Sequence, residues 1–141
     1  MQTLLQLYST AELKLMAFAG VAWTLISKAL GGIDEPISAL FYLVIADFTT
    51  GVIASFHTAT WSSDIGRKGM LKKVFMFSTV ALMYCIDVAM GTSMLRGMAI
   101  TGFSLIEAMS ILENIDRMGY GEYIPDFIRN KLMQIRDSKG V

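Results

Sequence analysis

Acidic side chains interrupt several long apolar segments of this 141-residue chain. Asp47, Asp87 and Glu107 are the candidates for a carboxylate pair, which proton transfer between a general acid and a general base commonly uses. We expect them at different heights along their segments, with Asp87 near one end and Asp47 near the middle. This separation argues against a catalytic pair, and the sequence predicts no catalytic residue and no enzymatic activity.

The sequence does not contain the residue patterns typical of zinc, nucleotide or nucleic-acid sites. His57 and Cys85 are the single histidine and the single cysteine, so the chain cannot supply the several His or Cys ligands of a typical zinc site. Residues 66–69 (Gly-Arg-Lys-Gly) lack the spacing of a phosphate-binding loop. Twelve basic and twelve acidic residues give no net charge, and no basic stripe with interleaved aromatics appears. We therefore expect no metal, no cofactor and no nucleic-acid partner.

The composition favours a protein that is embedded in a membrane. Hydrophobic residues make up 54% and charged residues 17% of the chain, against about 45–50% and about 25% in soluble globular proteins. The excess lies in long apolar runs that a chain of this length cannot bury in a water-soluble core. The sequence predicts an all-α integral membrane helical bundle.

Four short transmembrane helices are predicted in a single membrane domain, residues 1–141. Pro36 suits the first turn of the second helix, whose length of about 32 Å matches a hydrocarbon core of about 30 Å. A surface helix is expected at each end of the chain. The predicted segments are an amphipathic segment at 1–14, membrane helices at 15–30, 36–56, 70–90 and 94–115, and a cytoplasmic tail at 116–141.

The distribution of lysine and arginine predicts the orientation. With four spans, the amino-terminal segment, the central loop and the tail together hold ten of the twelve basic residues. By the positive-inside rule, both termini and the central loop are then cytoplasmic. We prefer four spans to three because three spans, on this argument, separate the central loop from the tail. The central-loop basic residues set topology or also bind anionic lipid; they are Arg67, Lys68, Lys72 and Lys73.

Small and polar residues form one stripe on the second helix, because they recur at helical spacing from Asp47 to Thr58. An ionised aspartate facing lipid near the bilayer centre would cost about 2.5–3.5 kcal/mol. Asp47 is therefore expected to face protein or water, either in a hydrogen bond between helices or at a pore face. The candidate residues on this stripe are Asp47, Thr50, Gly51 and Ser55.

The fourth helix has a similar polar face. Arg96 and Glu107 are separated by about three helical turns and fall on one face, beside a strip of small residues. This face either packs within a four-helix monomer or lines a water-filled opening between several copies of the chain. Its candidate residues are Arg96, Thr101, Ser104, Glu107 and Asn114.

Four segments together resemble the phage lysis and toxin-secretion holin family. Residues 45–51 (Ile-Ala-Asp-Phe-Thr-Thr-Gly) resemble its Asp-aromatic-x-Thr-Gly signature, and residues 62–73 are similar to its glycine- and lysine-containing loop. Residues 110–114 (Ser-Ile-Leu-Glu-Asn) match a third motif, and Ile124-Pro125 a fourth, in the same order. The charges of the fourth helix, Arg96 with Glu107, are more numerous than that pattern leads us to expect.

The resemblance implies a protein that forms homo-oligomers in the bacterial cytoplasmic membrane. Its lesions would release a lytic enzyme (endolysin) or a toxin, leading to host cell lysis or toxin secretion. Its partners would be membrane lipid, other copies of itself and, functionally, that enzyme or toxin. Two other readings stay open: a small ion or proton channel or transporter that uses Asp47 and Glu107, and a non-permeabilising scaffold or holin antagonist.

Overall fold

The computed structural model describes residues 9–59, 62–128, 130 and 134. All regular secondary structure in these residues is helical. The chain divides into two compact units, residues 1–33 and residues 34–141. Most of the predicted amino-terminal surface segment, and most of the tail beyond residue 128, lie outside the described residues.

The first unit contains helix α1, Thr10–Ala29. Ser9 and Glu12 form a capping box at its start: the Glu12 N–H donates to Ser9 Oγ at 3.3 Å, and the Ser9 N–H donates to Glu12 Oε2 at 2.6 Å. Two backbone N–H groups that have no partner inside the helix are thereby satisfied. The helix begins at Thr10, so Glu12 and Lys14 belong to the same helix as the predicted span 15–30.

The second unit begins with helix α2, Glu35–His57. Asp34 caps it by accepting the Ile37 N–H on Oδ1 at 3.2 Å, and Pro36 occupies the first turn. Both features satisfy or remove amide donors that a helix start leaves unpaired.

Helices α3 and α4 follow, at Ser63–Met90 and Met94–Ile115. Helix α3 begins at Ser63 rather than at Met70 and ends at Gly91, whose φ of 66° is the left-handed conformation that favours glycine. After α4 the chain continues through a π-helical turn, Asp116–Tyr120, and a short 3-10 helix, Gly121–Tyr123.

Within the described part of the chain, three helical segments are long and apolar enough to cross a membrane: Glu35–His57, Gly66–Met90 and Met94–Tyr123. Their surfaces are largely apolar, because residues such as Ile45, Phe75, Leu82 and Leu105 are exposed. The prediction of an all-α membrane helical bundle is confirmed. Helix α1 does not meet the same requirement, so a fourth span stays a prediction.

Helix α4 packs against both α2 and α3 in the second unit. Helices α2 and α4 run parallel, since Asp34 contacts Arg96 near their starts and Thr50 contacts Asn114 further along. Helix α3 runs antiparallel to both. The largest fully buried side chains among the described residues are Ile37, Leu40 and Val80, and the rings of Phe41 and Phe77 stack at 4.5 Å.

Candidate functional site

A charged triad of Asp47, Lys73 and Glu107 joins the three helices of the second unit. The Lys73 ammonium donates to Asp47 Oδ2 at 2.7 Å and also to Glu107 Oε2. The three side chains keep only 16%, 17% and 7% of their surface exposed, in the order Asp47, Lys73, Glu107. Because each charge comes from a different helix, the triad holds α2, α3 and α4 in one arrangement.

Asn114 extends the triad along α2 and α4. Its Nδ2 donates to Asp47 Oδ1 at 3.1 Å and lies 3.2 Å from Thr50 Oγ1. The two helices approach closely here, because a Cβ added at Gly51 would lie 3.4 Å from Asn114 Nδ2. In lipid, burial of apolar surface does not drive helices together. Helices associate there through interhelical hydrogen bonds and through small residues that allow close packing.

The energetics of the triad depend on its pairing. Removing charges from water costs several kcal/mol per ion, and only good pairing offsets that cost. Lys73 supplies one positive charge against two carboxylates, so the triad is net negative when both acids are ionised. The arrangement therefore restrains the helices as long as Lys73 stays in place.

A second polar cluster lies near the opposite end of α4. The Arg96 guanidinium donates from Nη1 to Asp34 Oδ2 at 2.7 Å and from Nη2 to Asp34 Oδ1 at 3.0 Å. Hydrogen bonding by this guanidinium holds the pKa of the Asp34 carboxyl below its usual value, against an opposing contribution from burial. The pair ties the start of α2 to the start of α4.

Asp87 completes this second cluster by capping α4. Its carboxylate accepts the N–H groups of Leu95 at 3.1 Å and Arg96 at 2.8 Å, and the Thr92 hydroxyl at 2.5 Å. A residue at the end of α3 thus satisfies the first amides of the next helix, which fixes the turn between them.

The structure corrects three expectations. Asp47 and Glu107 do not lie at different heights, because both bind Lys73. Arg96 and Glu107, predicted on one polar face, belong to two separate sites, since Arg96 pairs with Asp34 near the start of α4. Lys73 is not a surface lysine of the central loop: α3 starts at Ser63, which puts Lys73 about 15 Å along the helix.

The importance of Lys73 was missed, although the sequence carried a signal. Lys73, Met76, Val80 and Asp87 recur at intervals of three, four and seven residues, so they share one face of a helix. Met76, Val80 and Asp87 are buried. Extending the apolar period of α3 backwards would have placed Lys73 on the packed face.

The other predicted site residues lie outside the triad. The Ser55 hydroxyl donates to the Val52 carbonyl of its own helix at 2.8 Å. Thr101 is exposed and Ser104 is half-buried. Near the start of α3, three of the predicted surface cations are exposed: Arg67, Lys68 and Lys72.

Three of the segments that carried the family resemblance meet in space. The first supplies Asp47, Thr50 and Gly51, the second Lys73 and the third Asn114. Segments that are far apart in the chain therefore build one polar site.

Comparison with known proteins gives the family. Uncharacterised proteins of Listeria monocytogenes and Listeria innocua are each 36% identical over 110 residues, which cover 77% of this chain and 76% of theirs. An uncharacterised 14.9 kDa protein of Clostridium perfringens is 29% identical over 118 residues, covering 82% of this chain and 88% of its own. No solved structure matches. The family model described as the bacteriophage holin family matches residues 24–137, and the chain belongs to that family.

Proposed function

We propose that this protein is a lesion-forming holin. It accumulates in the bacterial cytoplasmic membrane, forms homo-oligomers, and opens lesions that release a lytic enzyme or a toxin. Membership of the holin family supports the class. The observation that carries the proposal is the charged triad, since it places polar groups inside helices whose outer surfaces are apolar.

Two arrangements of the same polar groups would explain why a holin is tolerated by the cell at first and lyses it later. In the monomer, Lys73 binds Asp47 and Glu107, so the groups that lipid would reject are paired internally. An aqueous opening needs a polar wall, and these residues with Asn114 can supply it when the helices separate and re-pair between copies. Packed helix bundles switch between discrete arrangements rather than deform continuously, which gives a sudden onset at high density.

The antiparallel pair α3 and α4 supports one proposed membrane orientation. The turn before α3 and the tail after α4 lie on one side of the membrane whether α1 spans or not. With α2, α3 and α4 as the three spans, the turn and the tail stay on the same side and only the amino-terminal segment moves, so the sequence argument does not decide between three spans and four. The turn and the tail are cytoplasmic by the positive-inside rule, and both termini are cytoplasmic if α1 is a fourth span.

The direct test is inducible expression in a bacterium that holds a murein hydrolase in its cytoplasm. Abrupt, timed release of the hydrolase is expected from the unaltered chain. Ser78→Ala is the matched control for substitutions in the charged triad, because Ser78 is exposed on α3 and donates only to the Val74 carbonyl of its own helix. Growth without lysis, with the protein in the membrane, contradicts lesion formation and instead fits a scaffold or antagonist.

A small ion or proton channel is the second candidate. The observation in its favour is that Asp47 and Glu107, the two carboxylates such a pathway would use, bind the same lysine. A channel passes ions with ordered, selective currents and retains a protein-sized marker. Reconstitution with both a pH dye and an encapsulated protein separates the two functions.

A further inference from the structure

An open groove of about 350 Å³ runs along the seam between α3 and α4. One end is polar and is lined by Gly69, Lys72 and Ser110, near the start of α3 and the end of α4. The other end is less polar and is lined by Phe103, Phe75 and Thr79; the Thr79 hydroxyl donates to the Phe75 carbonyl of its own helix at 2.9 Å. The groove thus changes from polar to apolar along the helices, as a lipid does along its own length.

The polar end carries an ammonium without a partner. Lys72 is exposed and lines the groove, and its ammonium makes no ion pair with the described residues. The neighbouring Lys73 is already bound to two carboxylates. Lys72 is therefore the groove cation available to a phosphate.

A carboxylate oxygen lies open beside it. Glu107 lines the groove and binds Lys73 through Oε2, while Oε1 has no hydrogen-bond partner among the described residues. Asp47, by contrast, uses both of its oxygens, on Lys73 and on Asn114. With both acids ionised, the triad carries a net negative charge next to the positive charge of Lys72, so the groove presents a dipole.

We propose that this groove binds one aminophospholipid, of the phosphatidylethanolamine type. Its phosphate pairs with Lys72, its primary ammonium donates to Glu107 Oε1, and one acyl chain lies over Phe75, Ile106 and Phe103. A headgroup with one negative and one positive charge matches the groove, whereas a purely anionic headgroup meets the carboxylates unfavourably. The site depends on the helices lying in a membrane and not on lesion formation.

Lipid binding to the purified full-length chain in detergent tests the proposal. Native mass spectrometry counts bound dioleoyl-phosphatidylethanolamine, phosphatidylcholine and phosphatidylglycerol after each is added to delipidated protein. We expect one phosphatidylethanolamine per chain. Its affinity should be about fivefold above that of the other two, because it forms one charge pair more than phosphatidylglycerol and one hydrogen bond more than phosphatidylcholine. Phosphatidylcholine is the decisive comparison, since its quaternary ammonium cannot donate to Glu107.

Matched variants assign the contacts. Lys72→Gln should weaken all three lipids, while Lys68→Gln, which removes an exposed cation outside the groove, should not. Glu107→Gln should reduce the preference for the primary amine, with Glu113→Gln as its exposed control. Thr79→Phe fills the apolar part of the groove and should weaken every lipid. Equal binding of the three lipids, tighter binding of phosphatidylglycerol, or equal effects of Lys72→Gln and Lys68→Gln overturns the site, whatever the lysis assay shows.

Discussion

The Lys73 ammonium lies 2.7 Å from Asp47 Oδ2. This ion pair joins α3 to α2, the helix that precedes it in the chain. The same ammonium binds Glu107. One lysine thus serves two acids on two different helices, and the consequences of losing it differ from those of losing either acid. That asymmetry makes the triad testable one residue at a time.

Replacing Lys73 by glutamine should be the most damaging change in the triad. It leaves two carboxylates facing each other without a cation, and removing one partner of a buried ion pair costs about 3–5 kcal/mol. We expect lower stability to denaturant in detergent and, at equal protein level, earlier lysis. Lys68→Gln, an exposed cation of the same helix, is the control.

Replacing Glu107 by glutamine or Asp47 by asparagine should be milder, because one lysine then faces one acid and the triad is neutral. The effect of Asp47→Ala on stability and lysis onset should exceed that of Asp47→Asn, since alanine also removes the side-chain oxygen that accepts from Asn114. Lysis onset and unfolding midpoint are the measurements for the whole series. Unchanged onset for Lys73→Gln and Asp47→Ala at matched expression would show that the triad does not govern opening.

The sequence predicts many residues of this site, but it does not predict which of them pair with one another. Helical spacing identified the polar stripe of Asp47 and Gly51, because the period of a helix is a local property. Lys73 was assigned to a loop because lysines beside apolar runs usually lie at the membrane surface. Which acid pairs with which base depends on the rotation and register of three helices, and the sequence alone does not show that Arg96 pairs with Asp34.

Gly51 should not tolerate a large side chain. A Cβ there would lie 3.4 Å from Asn114 Nδ2, an ordinary contact, so Gly51→Ala should be nearly neutral. Gly51→Leu forces α2 and α4 apart and should cost about 1–3 kcal/mol, the usual cost of overpacking. Lysis timing should change with it.

Gly102→Leu is the matched control for Gly51→Leu, since a Cβ at Gly102 meets nothing within 4 Å. It adds the same side chain to a transmembrane helix without touching the contact between α2 and α4. Equal effects of the two leucine variants on unfolding midpoint would contradict a specific role of the close approach.

Asn114 should contribute through its hydrogen bonds across the helices. Asn114→Ala removes the donors to Asp47 Oδ1 and Thr50 Oγ1, and interhelical hydrogen bonds in membranes contribute about 0.6–2 kcal/mol. A double-mutant cycle with Thr50→Val isolates the second bond. A coupling energy of zero, with both single variants folded, would mean that the two side chains act independently.

The Asp34–Arg96 pair should make stability depend on pH outside the membrane. Hydrogen bonding to Arg96 lowers the pKa of Asp34 in the folded chain from its usual value of 3.8. The pair therefore contributes fully above that value, and its contribution is lost as the pH falls through the folded pKa. The Asp34 side chain is 45% exposed, so solvent screening limits the effect to about 1 kcal/mol or less.

Asp34→Asn isolates this contribution, because asparagine caps a helix about as well as aspartate and cannot form the ion pair. We expect the unfolding free energy of the wild-type chain to exceed that of Asp34→Asn at pH 7, and the two curves to converge as the pH falls below 3.8 and through the lower pKa of Asp34 in the folded chain. Glu35→Gln, which removes the neighbouring acid and leaves the Asp34–Arg96 pair in place, is the control. A constant gap between wild type and Asp34→Asn from pH 7 to pH 3 would assign the difference to packing and not to charge.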